Sequence, residues 1–394
     1  MKGKQGLVCM GLLLVLSSCS CHTGKQITAS GLQRKDFQTE VNGQHTDLFT
    51  LSNKQGMEVC ITNYGARVVS ILVPDRNGKR EDVVCGFSTI TEYMEQRQNF
   101  GSTVGRYIGR ILNARFTLDG VEYKLVPNNG KSGHISHGGN PGFADRIWKV
   151  EQADTHRVRL SYLSPDGENG FPGNLKVTLV YSLGEDDNAL DLTYEATTDA
   201  PTVLNLSHHS FFNISGNFTK SVEDQQLWVD ADRFTPYDDK KCVTGEYLPV
   251  AGTPLDFRMP HTIGECIDAD HPQLKVVNGY DHTWELNTKG DDTRPAAWVY
   301  DPASGRKMEI FTTEPGMQIY TGNGLKGKMT GKGGIAYPFR SAVCFETMHF
   351  QDSPNQPEFP STVLRPGEVF HSPASPLFFF IPQNMLYSRR RRGG

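Results

Sequence analysis

The 394-residue sequence has no long basic stretch before its last residues, and its net charge is −4. Proteins that bind nucleic acid show clustered lysines and arginines, because the phosphate backbone has to be neutralised. The sequence therefore predicts no nucleic-acid partner. A small, roughly neutral molecule fits this mildly acidic charge balance better.

The eight cysteines form neither a CxxC pair nor a regular framework. Cys9 and Cys19 belong to an N-terminal signal segment and Cys21 follows it directly. The other five are scattered through the chain, at Cys60, Cys85, Cys242, Cys266 and Cys344. We therefore predict no disulfide scaffold and interpret these five as small core residues or free thiols.

No long segment has a convincing 3.6-residue apolar period with helix caps. The sequence predicts one or two helical turns at residues 88–98 and another at residues 261–265. Short runs with a two-residue period are frequent instead, for example at residues 48–51, 58–62, 67–73, 157–163 and 175–183. Glycine, asparagine and aspartate separate many of these runs, as hairpin turns require.

The strand-like pattern continues from about residue 30 to 370 without a linker-like change in composition. This organisation predicts an all-β fold in which two antiparallel sheets share one core, forming a large antiparallel β-sandwich. We assign residues 29–372 to this single domain. Residues 373–394 combine an apolar piece with four arginines and do not alternate like the strands before them. We interpret them as an atypical tail without an assigned role.

The N-terminus has the pattern of an export signal. Lys2 and Lys4 precede an apolar run over residues 7–16, which is too short to span a bilayer as a permanent helix. The run ends in Leu16-Ser-Ser-Cys19, which resembles the lipobox of bacterial lipoproteins, where the cysteine is lipidated and becomes the mature N-terminus. The alternative is an ordinary signal peptide that is cut near Ser20.

From this pattern we predict a lipoprotein-type signal peptide at residues 1–18, lipidation at Cys19 and a polar tether at residues 19–28. The protein would then be exported, lipid-anchored and periplasm-facing in a Gram-negative bacterium. Contact with the membrane would occur through the lipid anchor alone.

One carboxylate, Glu346, lies in the middle of the apolar run at residues 342–350. Burying a charge without a partner is energetically expensive, so Glu346 is expected to be paired or used in chemistry. Three histidine-bearing segments could supply partners: the glycine-rich loop with His137, the pair His208 and His209, and the turn with Asp281. Since successive strand residues point to opposite faces, only one of the paired histidines can face a given site.

Further polar groups come from two other segments. Arg106 and Arg110 lie in a glycine-rich stretch, and each suits either a hydroxyl-rich or anionic ligand or a structural ion pair. Gln318 adds an amide on a predicted strand. Imidazoles, amides and carboxylates, without a serine nucleophile elbow or a phosphate-binding glycine loop, favour recognition of a polyol.

A metal site is an alternative, because His134 and His137 with a carboxylate are possible ligands. Their spacing, however, falls in a glycine loop without a helical register, and His208 and His209 cannot both face one ion. We therefore predict no metal and no other cofactor.

Seven stretches together resemble the aldose 1-epimerase (galactose mutarotase) family, over residues 63–368. In chain order they are residues 103–111 (TVGRYIGRI), 137–143 (HGGNPGF) followed by Trp148, 166–173 (DGENGFPG), 205–213 (NLSHHSFFN), 279–282 (GYDH), 315–323 (PGMQIYTGN) and the stretch around Glu346. The fold that this resemblance implies is the galactose mutarotase-like supersandwich, a large antiparallel β-sandwich.

The resemblance also implies roles. Glu346 matches the general base of the family and His209 its general acid, and His137 is a second imidazole at the sugar. The sugar-binding positions of the family correspond to Arg110, Asp281 and Gln318 in this sequence. The implied reaction is the interconversion of α and β anomers of a galactose- or glucose-type hexose by ring opening and reclosure. It needs no metal or nucleotide, and we expect a monomer.

The sequence departs from the family pattern at four positions. Phe211 replaces the usual tyrosine, Gly109 an asparagine, and Met348 and Gln351 the usual glutamine and proline. Because the proton-transfer residues are intact, we expect activity with altered affinity or sugar preference. Two other hypotheses are a non-catalytic sugar-binding lipoprotein on the same scaffold and a glycosidase that uses Glu346 and Asp281 as its carboxylate pair.

Overall fold

The computed structural model describes residues 26–380, and within this range strands and turns make up most of the chain. The two α-helices of this range are short, α1 (Ile90–Gln96) and α2 (Pro272–Val277). Single-turn 3₁₀ helices occur at Arg34–Phe37, Leu112–Ala114, Gly130–Ser132, Phe143–Asp145, Glu168–Gly170, Ile263–Glu265, Lys332–Gly334 and Ser353–Asn355. The prediction of an all-β fold is confirmed. None of the described helices combines the length and apolar character needed to cross a membrane.

The strands of the first half are β1 (Glu40–Val41), β2 (Gln44–His45), β3 (Leu48–Ser52), β4 (Glu58–Thr62), β5 (Arg67–Pro74), β6 (Arg80–Asp82), β7 (Ser102–Val104), β8 (Arg110–Ile111), β9 (Arg115–Leu118), β10 (Val121–Lys124), β11 (Ile135–Ser136), β12 (Lys149–Ala153), β13 (Arg157–Ser164), β14 (Leu175–Leu183) and β15 (Leu190–Thr198). The five runs chosen from the sequence correspond to β3, β4, β5, β13 and β14.

The second half contributes β16 (Thr202–Val203), β17 (Ser207–His209), β18 (Phe211–Phe212), β19 (Gln226–Val229), β20 (Arg233–Thr235), β21 (Leu248–Pro249), β22 (His261–Thr262), β23 (Asp281–Glu285), β24 (Ala297–Tyr300), β25 (Arg306–Thr312), β26 (Gly316–Tyr320), β27 (Val343–Met348), β28 (Val363–Leu364) and β29 (Phe370–Phe380).

Three sheets hold most of these strands. A nine-stranded sheet has the order β12-β13-β14-β15-β29-β25-β24-β19-β22, and a six-stranded sheet has the order β18-β27-β26-β23-β20-β21. A four-stranded sheet runs β3-β4-β5-β6. The strand pairs within the nine- and six-stranded sheets are antiparallel.

One hydrophobic core joins these sheets face to face. The six-stranded sheet contributes side chains such as Trp284, Ile319 and Phe345, and the nine-stranded sheet contributes the facing set Val177, Leu179, Leu192, Val299 and Met308. Most of these side chains are fully buried, and burying one large apolar side chain stabilises the fold by about 1.5 to 3 kcal/mol. This packing is the sandwich expected from the sequence.

Helix α1 lies inside the segment predicted to be helical at residues 88–98. Thr89 caps it, because its hydroxyl accepts from the Glu92 amide while the Glu92 carboxylate accepts from the Thr89 amide. The second predicted turn, at residues 261–265, is divided between strand β22 and a 3₁₀ turn. Helix α2 was not foreseen, since six residues are too few to show a helical period.

The last strand extends past residue 372, at which the sequence analysis places the end of the domain. Strand β29 continues through residues 373–380 and pairs with β15 on one side and β25 on the other. Residues 373–380 do not alternate between apolar and polar types, so the sequence pattern did not predict this continuation. Residues 381–394, with the arginines of the proposed tail, lie outside the described residues.

The five cysteines of the described range, Cys60, Cys85, Cys242, Cys266 and Cys344, are all free thiols. Four of them are buried and Cys266 is partly exposed. The interpretation of these residues as core residues or free thiols is confirmed.

Arg106 is one of the largest fully buried side chains of the protein. Its guanidinium donates to the carbonyl oxygens of Pro172 and Gly173 and to the hydroxyl of Ser164, at distances of 2.6 to 3.0 Å. The planar fork of five donors can serve several acceptors at once, which a lysine ammonium cannot do. Arg106 is therefore a structural arginine that ties the loop before β8 to the loop before β14.

We expect Arg106→Lys to lower the free energy of unfolding by about 2 to 4 kcal/mol, because several buried carbonyls lose a charge-assisted hydrogen bond. Urea unfolding followed by circular dichroism measures the change. Arg115→Lys is the matched control, since Arg115 is exposed and should change stability little. Equal stability of both variants would contradict the structural role of Arg106.

Candidate active site

The structure brings all six sequence-predicted side chains to one cavity of about 260 Å³. They are His137, His209, Glu346, Arg110, Asp281 and Gln318. The cavity is also lined by Gly109, Phe211, Met348 and Gln351, the four positions at which the sequence departs from the family pattern. The departures therefore lie at the cavity wall and not in distant parts of the fold.

Strand register in the six-stranded sheet places the carboxylates and the amide. Glu346 on β27 is opposite Gln318 on β26, and Gln318 is opposite Thr283 on β23. Because side chains alternate across a strand, Glu346 points away from Phe345, which faces the hydrophobic core. One sheet face thus forms the core, and the other forms the floor of the cavity.

His209 reaches the cavity from β17, which pairs with β7. Its carbonyl accepts a hydrogen bond of 3.0 Å from the Gly101 amide, which fixes the backbone next to the cavity. His208 points to the opposite side, where its ring meets the ring of Tyr181 at 6.1 Å. The expectation that only one of the two histidines faces the site agrees with this geometry.

The Glu346 carboxyl and the His209 imidazole form the central contact, with 3.3 Å between Oε1 and Nε2. Both side chains are buried, with exposed fractions of 4% and 7%. Burial, followed by the charge of Asp281, raises the pKa of Glu346 well above its ordinary value of 4.5. Burial lowers the pKa of His209 to about 4. The pair therefore favours its uncharged form, which holds one proton.

His137 is the second imidazole of the cavity, with its ring 5.6 Å from that of His209. Its backbone has a φ of 53°, in the left-handed region that few residues with side chains adopt, and its amide donates to the Gly109 carbonyl. Burial, followed by the charges of His209 and Arg110, lowers its pKa to about 3. His137 is therefore uncharged near neutral pH and can hydrogen-bond a hydroxyl group.

An amide network orients Asp281. Gln318 Nε2 donates to Asp281 Oδ1 at 2.6 Å, while Gln318 Oε1 accepts from the Thr283 hydroxyl at 2.5 Å. Gln351 Nε2 donates to the same Gln318 oxygen at 3.3 Å and to the Tyr237 hydroxyl at 2.7 Å. Because both ends of the Gln318 amide are engaged, its orientation is fixed and Asp281 is held as an acceptor.

Arg110 supplies positive charge at the same end of the cavity. Burial raises the pKa of Asp281, and the charge of Arg110 opposes that increase. The Arg110 guanidinium also donates to the Lys241 carbonyl at 3.3 Å. Of the two arginines singled out in the sequence, Arg110 lines the cavity and Arg106 is structural.

Sequence reasoning missed several cavity residues, among them Asn99 and Tyr320. Tyr320 was part of the quoted stretch at residues 315–323, and strand alternation places it on the same face as Gln318. Asn99 belongs to a loop without any motif. That loop is held by the buried Arg67, which donates to the carbonyls of Gln98 and Phe100.

The proposed metal-ligand pair His134 and His137 is not brought together at one site. His134 Nε2 faces the Cys242 sulfur at 3.2 Å, and its Nδ1 accepts from the Asn113 amide. A different group, His209, Cys344 and Glu346, has ligand atoms within 4.8 Å of one another.

In that group the carboxylate contacts Nε2 of His209 and the sulfur contacts Nδ1. The two contacts involve different nitrogens of the imidazole, and one ion takes only one of them. Burial also raises the pKa of the Cys344 thiol well above its ordinary value, while metal binding requires the thiolate. The set fits an acid–base pair better than a metal centre, and we assign no metal to it.

A sequence model of the aldose 1-epimerase family matches residues 47–374. The chain belongs to the aldose 1-epimerase family. Galactose mutarotase of Sus scrofa is 39% identical over 323 residues, which cover 82% of this chain and 91% of that protein. Aldose 1-epimerase of Escherichia coli K12 is 36% identical over 333 residues, covering 84% and 94%. The resemblance inferred from the motifs is confirmed.

Solved structures give the same result for this aldose 1-epimerase. An aldose epimerase homologue from Caenorhabditis elegans superposes with a TM-score of 0.78 at 30% identity, covering 85% of this chain and 99% of that chain. A galactose 1-epimerase from Lactobacillus acidophilus superposes with a TM-score of 0.75 at 28% identity, covering 87% and 97%. The predicted galactose mutarotase-like fold is confirmed, and the chain is an isomerase.

Proposed function

We propose that this aldose 1-epimerase interconverts the α and β anomers of galactose- and glucose-type hexoses, with Glu346 as the base and His209 as the acid. The observation that supports these roles is the 3.3 Å contact between the two side chains in a polar cavity. A base and an acid this close can act on two neighbouring oxygens of one sugar ring. The galactose in the names of the relatives motivates the choice of hexose.

In the proposed reaction the Glu346 carboxylate takes the proton of the C1 hydroxyl. The electrons of that O–H bond form the C1 carbonyl, the bond between C1 and the ring oxygen breaks, and the ring oxygen takes the proton of His209 Nε2. Rotation about the bond from C1 to C2 presents the other carbonyl face, and the reverse transfers close the ring. Each positioned proton transfer contributes roughly 10²- to 10⁴-fold to the rate.

The number of exchangeable protons on the Glu346 and His209 pair fits this cycle. In the proposed cycle the resting pair holds one proton, since burial raises the pKa of the carboxyl and lowers that of the imidazole, which favours the uncharged form of each group. Moving that proton from Glu346 to His209 gives the carboxylate and imidazolium that the reaction needs, without exchange with solvent. Ring opening then returns the pair to a protonated carboxyl and a neutral imidazole.

The other polar groups hold the sugar. Asp281, fixed by Gln318, accepts a hydrogen bond from a sugar hydroxyl, and the Arg110 guanidinium donates to another. His137 binds next to the ring oxygen, since its ring neighbours that of His209. We also propose that the protein is a monomer, which sedimentation velocity would test.

Glu346→Gln should lower kcat by about 10²- to 10⁴-fold, because the amide keeps the shape of the side chain and cannot take a proton. Polarimetry of freshly dissolved α-galactose and α-glucose measures the rate, and circular dichroism checks the fold. Glu122→Gln is the matched control, as Glu122 is an exposed carboxylate. Full activity of Glu346→Gln would exclude the proposed base.

The same samples separate the two other hypotheses. A glycosidase would release reducing sugar from an oligosaccharide, and a sugar-binding protein would bind galactose without accelerating mutarotation. Release of reducing sugar, or binding without any rate effect, would overturn the proposal.

We expect a bell-shaped dependence of kcat/KM on pH. Below about pH 4 the pair takes up a second proton on His209, whose pKa is lowered to about 4, so activity falls. The opposite limb appears where Glu346 loses its proton, well above the ordinary carboxyl pKa of 4.5. Mutarotation rates between pH 3 and 10 (roughly the range over which folded proteins can be assayed), corrected for the uncatalysed reaction, test this. An alkaline limb near the ordinary carboxyl value would contradict it.

We further propose that the enzyme is a lipid-anchored, periplasm-facing protein whose anchor is at Cys19. Residues 1–25, which include the signal peptide and most of the tether, lie outside the described residues. The proposal is supported by the charged start, the apolar run and the Leu-Ser-Ser-Cys sequence that ends it.

In a Gram-negative host, the wild-type chain should fractionate with membranes and incorporate labelled palmitate. Cys19→Ala should do neither, because the acceptor thiol is lost. Cys21→Ala is the matched control and should behave like the wild type. Palmitate labelling that persists in Cys19→Ala would exclude Cys19 as the lipidated residue.

A further inference from the structure

Cys344 contacts Nδ1 of the His209 ring, whereas Glu346 contacts Nε2. Its sulfur is 3.6 Å from His209 Nδ1, and no other hydrogen-bond partner of this sulfur is found among residues 26–380. Cys344 precedes Glu346 by two residues on β27, so both side chains point to the same sheet face. One strand therefore contacts both nitrogens of the imidazole.

The two nitrogens of an imidazole are not equivalent in acid–base chemistry. If Nε2 is to take and give a proton, Nδ1 has to keep its own proton throughout the cycle. Which nitrogen carries the proton in the neutral ring is set by the hydrogen bonds of the other groups around it. A protonated Nδ1 needs an acceptor, and the Cys344 sulfur is the side-chain atom within hydrogen-bonding distance of it.

We propose that Cys344 is a positioning residue that holds the Nδ1 proton of His209, so that Nε2 is the nitrogen that exchanges protons with Glu346 and the sugar. This inference rests on the acid role proposed for His209. Cys344 touches neither the reacting atoms nor the substrate in this scheme and acts through His209.

Among the described side chains around His209, the thiol is the one that contacts Nδ1, and the backbone of His209 itself also hydrogen-bonds the ring. Phe211 stacks on the ring at 5.0 Å with an interplanar angle of 25°, and His137 meets it edge-on at 5.6 Å. Glu346 occupies Nε2. The aromatic ring of Phe211 offers no acceptor in the plane of the imidazole.

A thiol has an advantage over a carboxylate at this position. A carboxylate next to Nδ1 would raise the pKa of the imidazole and make the imidazolium a weaker acid. The Cys344 thiol is uncharged, because burial raises its pKa well above the ordinary value of 9.0. It therefore orients the ring and still leaves a strong acid at Nε2.

The test compares Cys344→Ala, which removes the acceptor, with Cys344→Ser, which keeps one. Cys60→Ala is the control for loss of a buried thiol, since Cys60 is also fully buried but its sulfur lies near Ser30 and Glu58 and not near His209. Mutarotation gives kcat and KM separately. Nitrogen-15 NMR of histidine-labelled protein reports which nitrogen of His209 is protonated.

For the wild type, Cys344→Ser and Cys60→Ala, we expect a proton on Nδ1 and kcat within a few-fold of one another. For Cys344→Ala we expect a mixture of tautomers and a kcat lower by about tenfold, the scale of one lost hydrogen bond, with KM nearly unchanged. Wild-type kcat in Cys344→Ala would overturn the inference. Loss of kcat with Nδ1 still protonated would also overturn it, since this outcome indicates a packing defect.

These results are separable from a failure of the proposed function. If Glu346→Gln is inactive and Cys344→Ala is fully active, the acid–base assignment stands and the role of Cys344 is refuted. If Glu346→Gln retains full activity, the proposed base is wrong whatever the behaviour of Cys344.

Discussion

The contact between the Glu346 carboxyl and the His209 imidazole depends on burial. In water, a carboxyl and an imidazole at neutral pH would both exchange protons freely with the solvent. Here both are enclosed, and the cost of an isolated buried charge pushes their pKa values in opposite directions. The consequence is that burial favours the uncharged form of both groups, as the proposed proton exchange within the pair requires.

The sandwich provides that burial through strand alternation. The same strand, β27, gives Phe345 to the hydrophobic core and Glu346 to the cavity. A register shift of one residue would exchange these faces and place the carboxyl in the core. The core packing that holds the two large sheets together therefore also specifies the orientation of the Glu346 carboxyl. Stability and chemistry are coupled here through a single strand.

The extent to which the sequence predicts this arrangement differs between its parts. The strand pattern and the isolated carboxylate in an apolar run were readable locally, and so was the opposite orientation of His208 and His209. The sequence did not show which arginine would be structural, because Arg106 finds its hydrogen-bond acceptors in segments far away in the sequence. The sequence also did not show that Asn99 lines the cavity, since its loop is positioned by Arg67 from another strand.

The final strand was also hard to predict. Residues 373–380 do not alternate between polar and apolar types, so periodicity did not reveal that β29 continues between β15 and β25. The sequence signal was weakest where the structure is most central.

The position of β29 also bears on when the protein can fold. Strands β12 to β15 form one half of the nine-stranded sheet, strands β25, β24, β19 and β22 form the other, and β29 is the strand that joins them. Before residues 370–380 pair, β15 and β25 each lack a neighbour on one side, and such open edges are prone to pairing with other chains. The fold is therefore completed late and through contacts distant in sequence, a topology associated with slow folding.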